Sequence, residues 1–306
     1  MIRLDQKILQ YVLMVANEKN FSKAAQKLHV AQPSLSYQIA KLEKELGIQL
    51  FKRGHSEVQL TYAGKIFVKR ALQILDQVDQ LKKEIRDVAN MQTGQLRIGS
   101  LPTTGAYLLP KVIPPFQQRY PGIELILIED TTHNLESLVF QGQVEISLLS
   151  MPVLNTELQV ETILEEDILL AVPPNHPLST LPEIDLKDCK DESFILQKKG
   201  TGFRATCENL CNQAGFVPKV VFESINVDTC LSLVSTGMGI SFAPRMVIRD
   251  LKAFDTPKYL PIKHATRPKR NVVFAYKNGS YLSQAARSFI DIMKKTVRLS
   301  FPNESR

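Results

Sequence analysis

From Phe67 to Val88 the apolar residues Phe67, Ala71, Ile74, Val78, Leu81, Ile85 and Val88 recur at spacings of 4, 3, 4, 3, 4 and 3. That rhythm draws one narrow seam along a long helix, the pattern by which two helices pack side by side as a coiled coil. No neighbouring segment offers a matching seam, so the simplest mate is the same helix in a second copy; the alternative is the chain's own body. Thr61 can cap the helix, and Met91, Gln92, Thr93 and Gly94 end it and begin a linker. A rod in this position divides the chain into a short first part and a long second part, and the two differ in texture.

In the first part, Ile8, Leu9, Val12, Leu13 and Ala16 predict a helix over 5–16, broken by Asn17 and Asn20. Ser22 is the expected N-cap of a short helix over "KAAQKLHV", where Ala24, Ala25 and Leu28 permit close packing. In "AQPSLSYQIAKLEKELG", residues 31–47, Pro33 suits a first helical turn and Gly47 a C-cap. Leu35, Ile39, Leu42 and Leu46 make a single buried stripe, which leaves Ser34, Ser36, Tyr37, Gln38 and Lys41 outside it, behind Gln32. "QLFKR" and "EVQLT" flank Gly54, His55 and Ser56 as a hairpin, with Lys52 and Arg53 at its base. Three helices followed by a small basic hairpin form a winged helix-turn-helix pattern. Charge distribution agrees with it. Residues 1–70 hold twelve Lys and Arg against five Asp and Glu, while 71–306 hold twenty-six of each, so the whole net charge of +7 lies in the first part. A basic module beside a neutral body suits an anionic polymer.

From Gln95 onward, "LRIGS", "IELILIED", "VEISLLS", "ILLAVP", "SFILQ", "KVVFES" and "GISFAP" read as strands, with helices over 108–119, 134–142, 203–215 and 228–235. Alternation of this kind predicts an α/β fold with a parallel-rich sheet and ligand sites at the carboxyl ends of strands. Nothing resembles a nucleotide-binding glycine fingerprint, a metal-ligand cluster or a nucleophile elbow, and "GTG" and "GMG" are too short to count. His29, His55, His133, His176 and His264 are scattered. An enzyme, a metal site and a cofactor are therefore not expected. Cys189, Cys207, Cys211 and Cys230 form no C-x-x-C and read as buried structural thiols, with Cys207 and Cys211 one turn apart. No apolar run approaches the ~20 residues of a membrane span. Asp5, Gln6, Gln10 and Asn17 interrupt the opening residues, so neither a signal peptide nor a membrane is expected, and the location implied is cytoplasmic.

The block "FSKAAQKLHVAQPSLSYQIAKLEKELGIQLFKR" followed by "LTYAG" resembles the DNA-binding signature of LysR-type transcriptional regulators. "LLPKVIPPFQQRYPGIELILIED", "VPPNHPL" and "STGMGISFAP" resemble later landmarks of that family, in the same order, so the likeness covers essentially the whole chain. It implies a winged helix-turn-helix over 1–60, a linker and dimerisation helix over 61–92, and a two-lobed effector-binding domain like periplasmic binding proteins over 93–306. Chain crossings near 165–166 and 266–267 make the first lobe 93–165 with 268–300 and the second 166–267.

The resemblance puts the leading residues of 31–47 into the major groove: Gln32, Pro33, Ser34, Ser36, Tyr37 and Gln38 near bases, with Lys23, Lys41, Lys52 and Arg53 on phosphates or, for Arg53, toward the minor groove. Tyr37 departs from the basic or amide residue frequent there in the family, and Glu145-Ile146-Ser147 from its Asp-Leu-Ala. In the cleft, Ser100, Pro102, Thr103 and Thr104 would face Thr131, Thr201, Gly202, Phe203 and Arg204. Hydroxyls, helix starts and the nearby Lys198 and Lys199 favour a small anion, and a carboxylate is the expected effector. The alternative for the threonines is plain helix capping. Implied partners are interrupted palindromic promoter duplex DNA, a second copy of the chain in a dimer and further a tetramer, and RNA polymerase. A solute-binding receptor, the competing reading of two lobes, leaves the basic module without a purpose.

Overall fold

In the computed structural model, which describes residues 4–53, 57–88, 93–248, 256–263 and 268–300, helix α1 (Gln6–Glu18) starts where Asp5 accepts from Ile8 N at 2.9 Å. It runs past Asn17 and stops at Lys19, which takes a left-handed φ of 49°. That turn brings Asn20, not Ser22, to the N-cap of α2 (Phe21–Lys27). Asn20 Oδ1 accepts from Ser22 N and Lys23 N, and Ser22 lies inside the first turn. Helix α3 (Gln32–Leu46) carries Pro33 in its first turn and ends on Gly47 at φ 70°. Leu35, Ile39 and Leu42 are buried and Leu46 half-buried.

Strands β1 (Phe51–Arg53) and β2 (Val58–Leu60) pair antiparallel, Lys52 opposite Gln59. Glu43 Oε1 accepts from Leu50 N at 2.7 Å and Phe51 N at 3.0 Å, which ties α3 to the hairpin. Thr61 Oγ1 accepts from Gly64 N at 2.9 Å and starts α4 (Tyr62–Val88). Contacts divide the chain into the units Met1–Ile85 and Arg86–Arg306, so α4 begins in one and ends in the other.

In the second unit the elements are β3 (Gly94–Ser100), α5 (Pro102–Arg119), β4 (Ile123–Glu129), α6 (Thr132–Phe140), β5 (Ile146–Ser150), β6 (Leu158–Val172), β7 (Ser193–Gln197), α7 (Gly202–Gln213), β8 (Lys219–Ser224), α8 (Val227–Ser235), β9 (Ser241–Pro244), β10 (Lys258–Pro261), β11 (Lys269–Lys277) and α9 (Gln284–Ser300). The large sheet runs β10-β6-β11-β5-β3-β4, with β9 also on β6, and β7 pairs with β8. Among the described strands, β3–β4, β3–β5 and β7–β8 pair in parallel, with single parallel bridges at Ile184–Ile262 and Phe194–Ile240, whereas β6, β9, β10 and β11 pair with one another and with β5 antiparallel. The sheet is thus mixed, and less parallel than the alternation predicts. Two lobes follow from one long strand: β6 pairs with β11 up to Asp167, then with β9 and β10 from Ile168 onward. The expected crossing at 165–166 falls inside β6 and that at 266–267 lies outside the described residues.

Helix α5 starts at Pro102 rather than at 108, and it contains Pro110, Pro114 and Pro115. Pro102 sits in the first turn, where an N–H has no intrahelical acceptor, so proline begins the helix without loss.

Candidate functional site

On α3, Gln32, Pro33, Ser34, Tyr37, Gln38 and Lys41 are exposed and Ser36 is half-buried; Tyr37 is 66% exposed. Lys23 on α2 and Lys52 on β1 are exposed too. Arg53 closes β1, and its side chain lies outside the described residues. The fold of this unit therefore buries one side of α3 and leaves its amides, hydroxyls and cations outward. Along α4, Ala71 is buried, Phe67 and Val78 are half-buried, and Ile74, Leu81 and Ile85 are exposed, the last two by 59% and 60%. Val88 ends the helix, its side chain outside the described residues. An apolar seam left open on a helix is unfavourable to leave in water.

The second unit holds a narrow cleft lined by residues of both lobes: Leu101, Pro102, Thr103, Asp130, Gln197, Thr201, Phe203, Ile225, Val227 and Arg270. Pro102, Thr103, Thr201 and Phe203 are among the residues the sequence predicts there. Ser100 is buried and donates to Leu101 O at 3.0 Å, and Thr104 is buried in the wall, accepting from Arg270 Nη2 at 2.7 Å. Thr131 caps α6 through Asn134 N at 3.5 Å, as Asn226 caps α8 through Asp228 N. Thr201 caps α7 through Arg204 N at 3.3 Å, so it lines the cleft and caps a helix at once. Arg204 is engaged by Glu208 at 2.8 Å, Glu223 at 2.9 Å and Gln197 O at 2.6 Å, which match its charge. It lines a second, roomier cavity together with Lys199, Thr201 and Gly202.

Arg270, Gln197 and Asp130 escaped the sequence reading. Strand register places Arg270 opposite Glu166, and both are buried. Arg270 Nη1 donates to Glu166 Oε1 at 3.2 Å and Nε to Ser150 Oγ at 3.3 Å, while its guanidinium carbon lies 5.4 Å from the centre of the Phe203 ring. Burial lowers its pKa from the ordinary value and Glu166 opposes the shift; a guanidinium remains charged regardless. Glu166 Oε2 accepts from Met246 N at 2.6 Å. Of the five N–H donors of Arg270, three are engaged in these bonds. Cation, ring and hydroxyls thus meet at the floor of the cleft, where the two lobes join.

All four cysteines are buried free thiols. Burial pushes Cys189 and Cys211 up to about 12 and Cys230 to about 11, and holds Cys207 well above its usual value. None is a thiolate near neutral pH, and the thiolate is the reactive form. Among the described residues no His, Cys, Asp and Glu group suits a metal ion, and no helix is long and apolar enough to cross a membrane.

A winged helix-turn-helix with an outward polar helix, joined to a two-lobed α/β domain with a lined cleft, defines a DNA-binding transcriptional regulator with an effector-binding domain. Residues 7–65 match the family model described as bacterial regulatory helix-turn-helix protein, lysR family, and residues 89–298 match that of the LysR substrate binding domain. The chain belongs to the LysR family of transcriptional regulators and is not an enzyme. It is 34% identical to the uncharacterized HTH-type transcriptional regulator YcgK of Bacillus subtilis (strain 168), over 97% of this chain and 96% of that one. It is 33% identical to the DNA-binding transcriptional dual regulator OxyR of Escherichia coli (strain K12), over 90% of each. Among solved structures, a full-length single-residue variant of OxyR from Pseudomonas aeruginosa superposes with a TM-score of 0.73 at 27% identity, covering 97% of this chain and 95% of that one.

Proposed function

We propose that this regulator binds a small carboxylate in the cleft between its lobes and reads interrupted palindromic promoter DNA as a dimer or a pair of dimers. One observation carries the carboxylate reading: the first turn of α5 opens on the same cleft as Arg270 and has no side-chain cap. The N–H groups of Thr103 and Thr104 have no intrahelical acceptor, and two N–H donors of Arg270 remain for a ligand. The support is narrower than the sequence suggests, because Arg204 is matched by two glutamates and Lys199 lines the other cavity. Peroxide, named in relatives described as hydrogen peroxide-inducible genes activators, is less well supported as the signal here. Sensing through cysteine needs an accessible thiolate, and burial works against one at all four positions. A thermal melt of the full-length chain against a panel of metabolites tests the reading. Carboxylates should raise the melting temperature by mass action, and a shift confined to cations or apolar neutrals would overturn it.

At the DNA end, Gln38 reads base edges and Lys41 neutralises a phosphate. Gln38→Ala should cost about 1–3 kcal/mol on the cognate site and relax base preference there. Lys41→Ala should weaken every duplex alike and flatten the salt dependence of binding. Uniform loss in both variants, measured on cognate and scrambled duplexes, would remove the distinction. The seam of α4 joins two copies. Leu81→Lys with Ile85→Lys should convert the dimer to monomer in sedimentation velocity, and an unchanged sedimentation coefficient would exclude the seam. Effector binding then acts by favouring one lobe arrangement and so one spacing of the paired DNA-binding units. The resulting change in DNA bending is presented to RNA polymerase. Such a regulator works beside the chromosome, in the cytoplasm.

A further inference from the structure

Gln197 ends β7 with its side chain 3% exposed on the wall of the interlobe cleft. Neither its amide oxygen Oε1 nor its amide nitrogen Nε2 meets a hydrogen-bond partner among the described residues. A buried amide left in that state costs on the order of 1–3 kcal/mol, and a native chain retains such a group where something else completes it. A plain carboxylate completes only half of it: it accepts from Nε2 and sets a negative oxygen against Oε1. Oε1 needs a donor.

A second acceptor stands in the same cleft. Asp130 Oδ1 accepts from Thr131 N at 2.6 Å and from Asn134 Nδ2 at 2.8 Å, which leaves Oδ2 for a ligand. The cleft therefore carries two opposite demands. The first turn of α5 and the spare N–H groups of Arg270 call for an anion, whereas Asp130 Oδ2 and Gln197 Oε1 call for a cationic or strongly donating group. Leu101, Phe203, Ile225 and Val227 supply an apolar wall. The cleft is narrow in this arrangement of the lobes, which limits any side chain it takes to a small one.

From these demands we infer that the effector is a zwitterionic α-amino acid with a small apolar side chain, and that Gln197 is the residue that tells it from a simple carboxylic acid. The inference rests on the carboxylate reading above and narrows it. The carboxylate sits on the start of α5 beside Arg270, the ammonium faces Asp130 and Gln197 Oε1, and Gln197 Nε2 donates to the carboxylate edge. Phe203 and Ile225 take the side chain.

The test is calorimetric titration of the full-length protein with the twenty standard amino acids, the D-forms of the chiral ones, and amine-free counterparts such as propionate for alanine and isovalerate for valine. An L-amino acid of small apolar side chain should bind at least about 10-fold more tightly than its amine-free counterpart, because a charge-assisted hydrogen bond contributes on the order of 10–100-fold. Gln197→Leu should lose about 10–100-fold in affinity for that amino acid while melting no lower than the parent protein, since the change removes an unsatisfied amide. Asp130→Asn should weaken the amino acid and spare the amine-free acid. Equal binding of the amine-free acid, or undiminished binding by Gln197→Leu, overturns the inference and leaves the carboxylate reading intact. Failure of every amino acid and every carboxylate overturns both.

Discussion

Replacing Arg270 with methionine is expected to destabilise the second unit by about 3–5 kcal/mol, the range seen when one partner of a buried ion pair is removed. Glu166, with no exposed surface, would keep a buried carboxylate without the guanidinium that faces it. Thr104 and Ser150 would lose the donor they share. For a unit of this size each kcal/mol moves the melting temperature by roughly 2–4 °C, so the fall should be on the order of 6–20 °C. The companion experiment separates the lost pair from a generally intolerant site. Arg270→Met combined with Glu166→Gln removes both charges of the pair and should regain a large part of the loss, a coupling that a double-mutant cycle measures directly. Arg270→Lys keeps the charge but replaces a planar fork by a point, and cannot reach Glu166, Ser150 and Thr104 together; it should fall between. A single substitution costing under about 1 kcal/mol, or a double variant as unstable as the single, would show that the pair does not hold the floor of the cleft.

The same residue shows where sequence reasoning stops. "KRNVVFAY" has no local sign that its arginine is buried; the burial comes from β11 pairing with β6 across about a hundred residues of chain. For the same reason the first half of β6 escapes notice, since "VETILEED" reads as a solvated edge until its partner is known. Gln197 looks like any polar residue at a strand end, and only the facing lobe encloses it. Helix α3 was legible because its determinants are local: Pro33 and Gly47 bracket it, and one stripe of four residues chooses its buried side. Local rules also erred by a small shift where two capping residues compete. Asn20 prevails over Ser22 because Lys19, just before it, turns left-handed and so begins the next helix early. The start of α5 is hidden for another reason: Pro102, the polar Thr103 and Thr104, and Gly105 look like a loop, yet proline needs no intrahelical acceptor in a first turn.

Gly202→Ala should disturb the closed cleft through a single added methyl. Glycine is required there by close approach: an added Cβ would lie 2.0 Å from Ser150 O and 2.9 Å from Met151 O, both backbone atoms of the opposite lobe. Backbone cannot swing aside as a side chain does, so α7 must retreat from the end of β5. Gly202 N donates to Thr132 Oγ1 at 3.0 Å, Gly200 O accepts from His133 N at 3.1 Å, and Thr206 Oγ1 donates to Met151 O at 3.3 Å. These bridges between the lobes would lengthen together. Overpacking of this kind costs typically about 1–3 kcal/mol, a fall in melting temperature of roughly 2–12 °C. The loss should be local to the hinge side of the cleft. Hydrogen exchange at the starts of α6 and α7 should accelerate, while protection in α1 to α3 stays unchanged. Affinity for any ligand held by both lobes should drop with it, since Thr201 and Phe203 move with α7 while Thr103 and Asp130 do not. An alanine variant that melts with the parent and keeps its exchange pattern would mean that the lobes do not meet at Gly202 in solution.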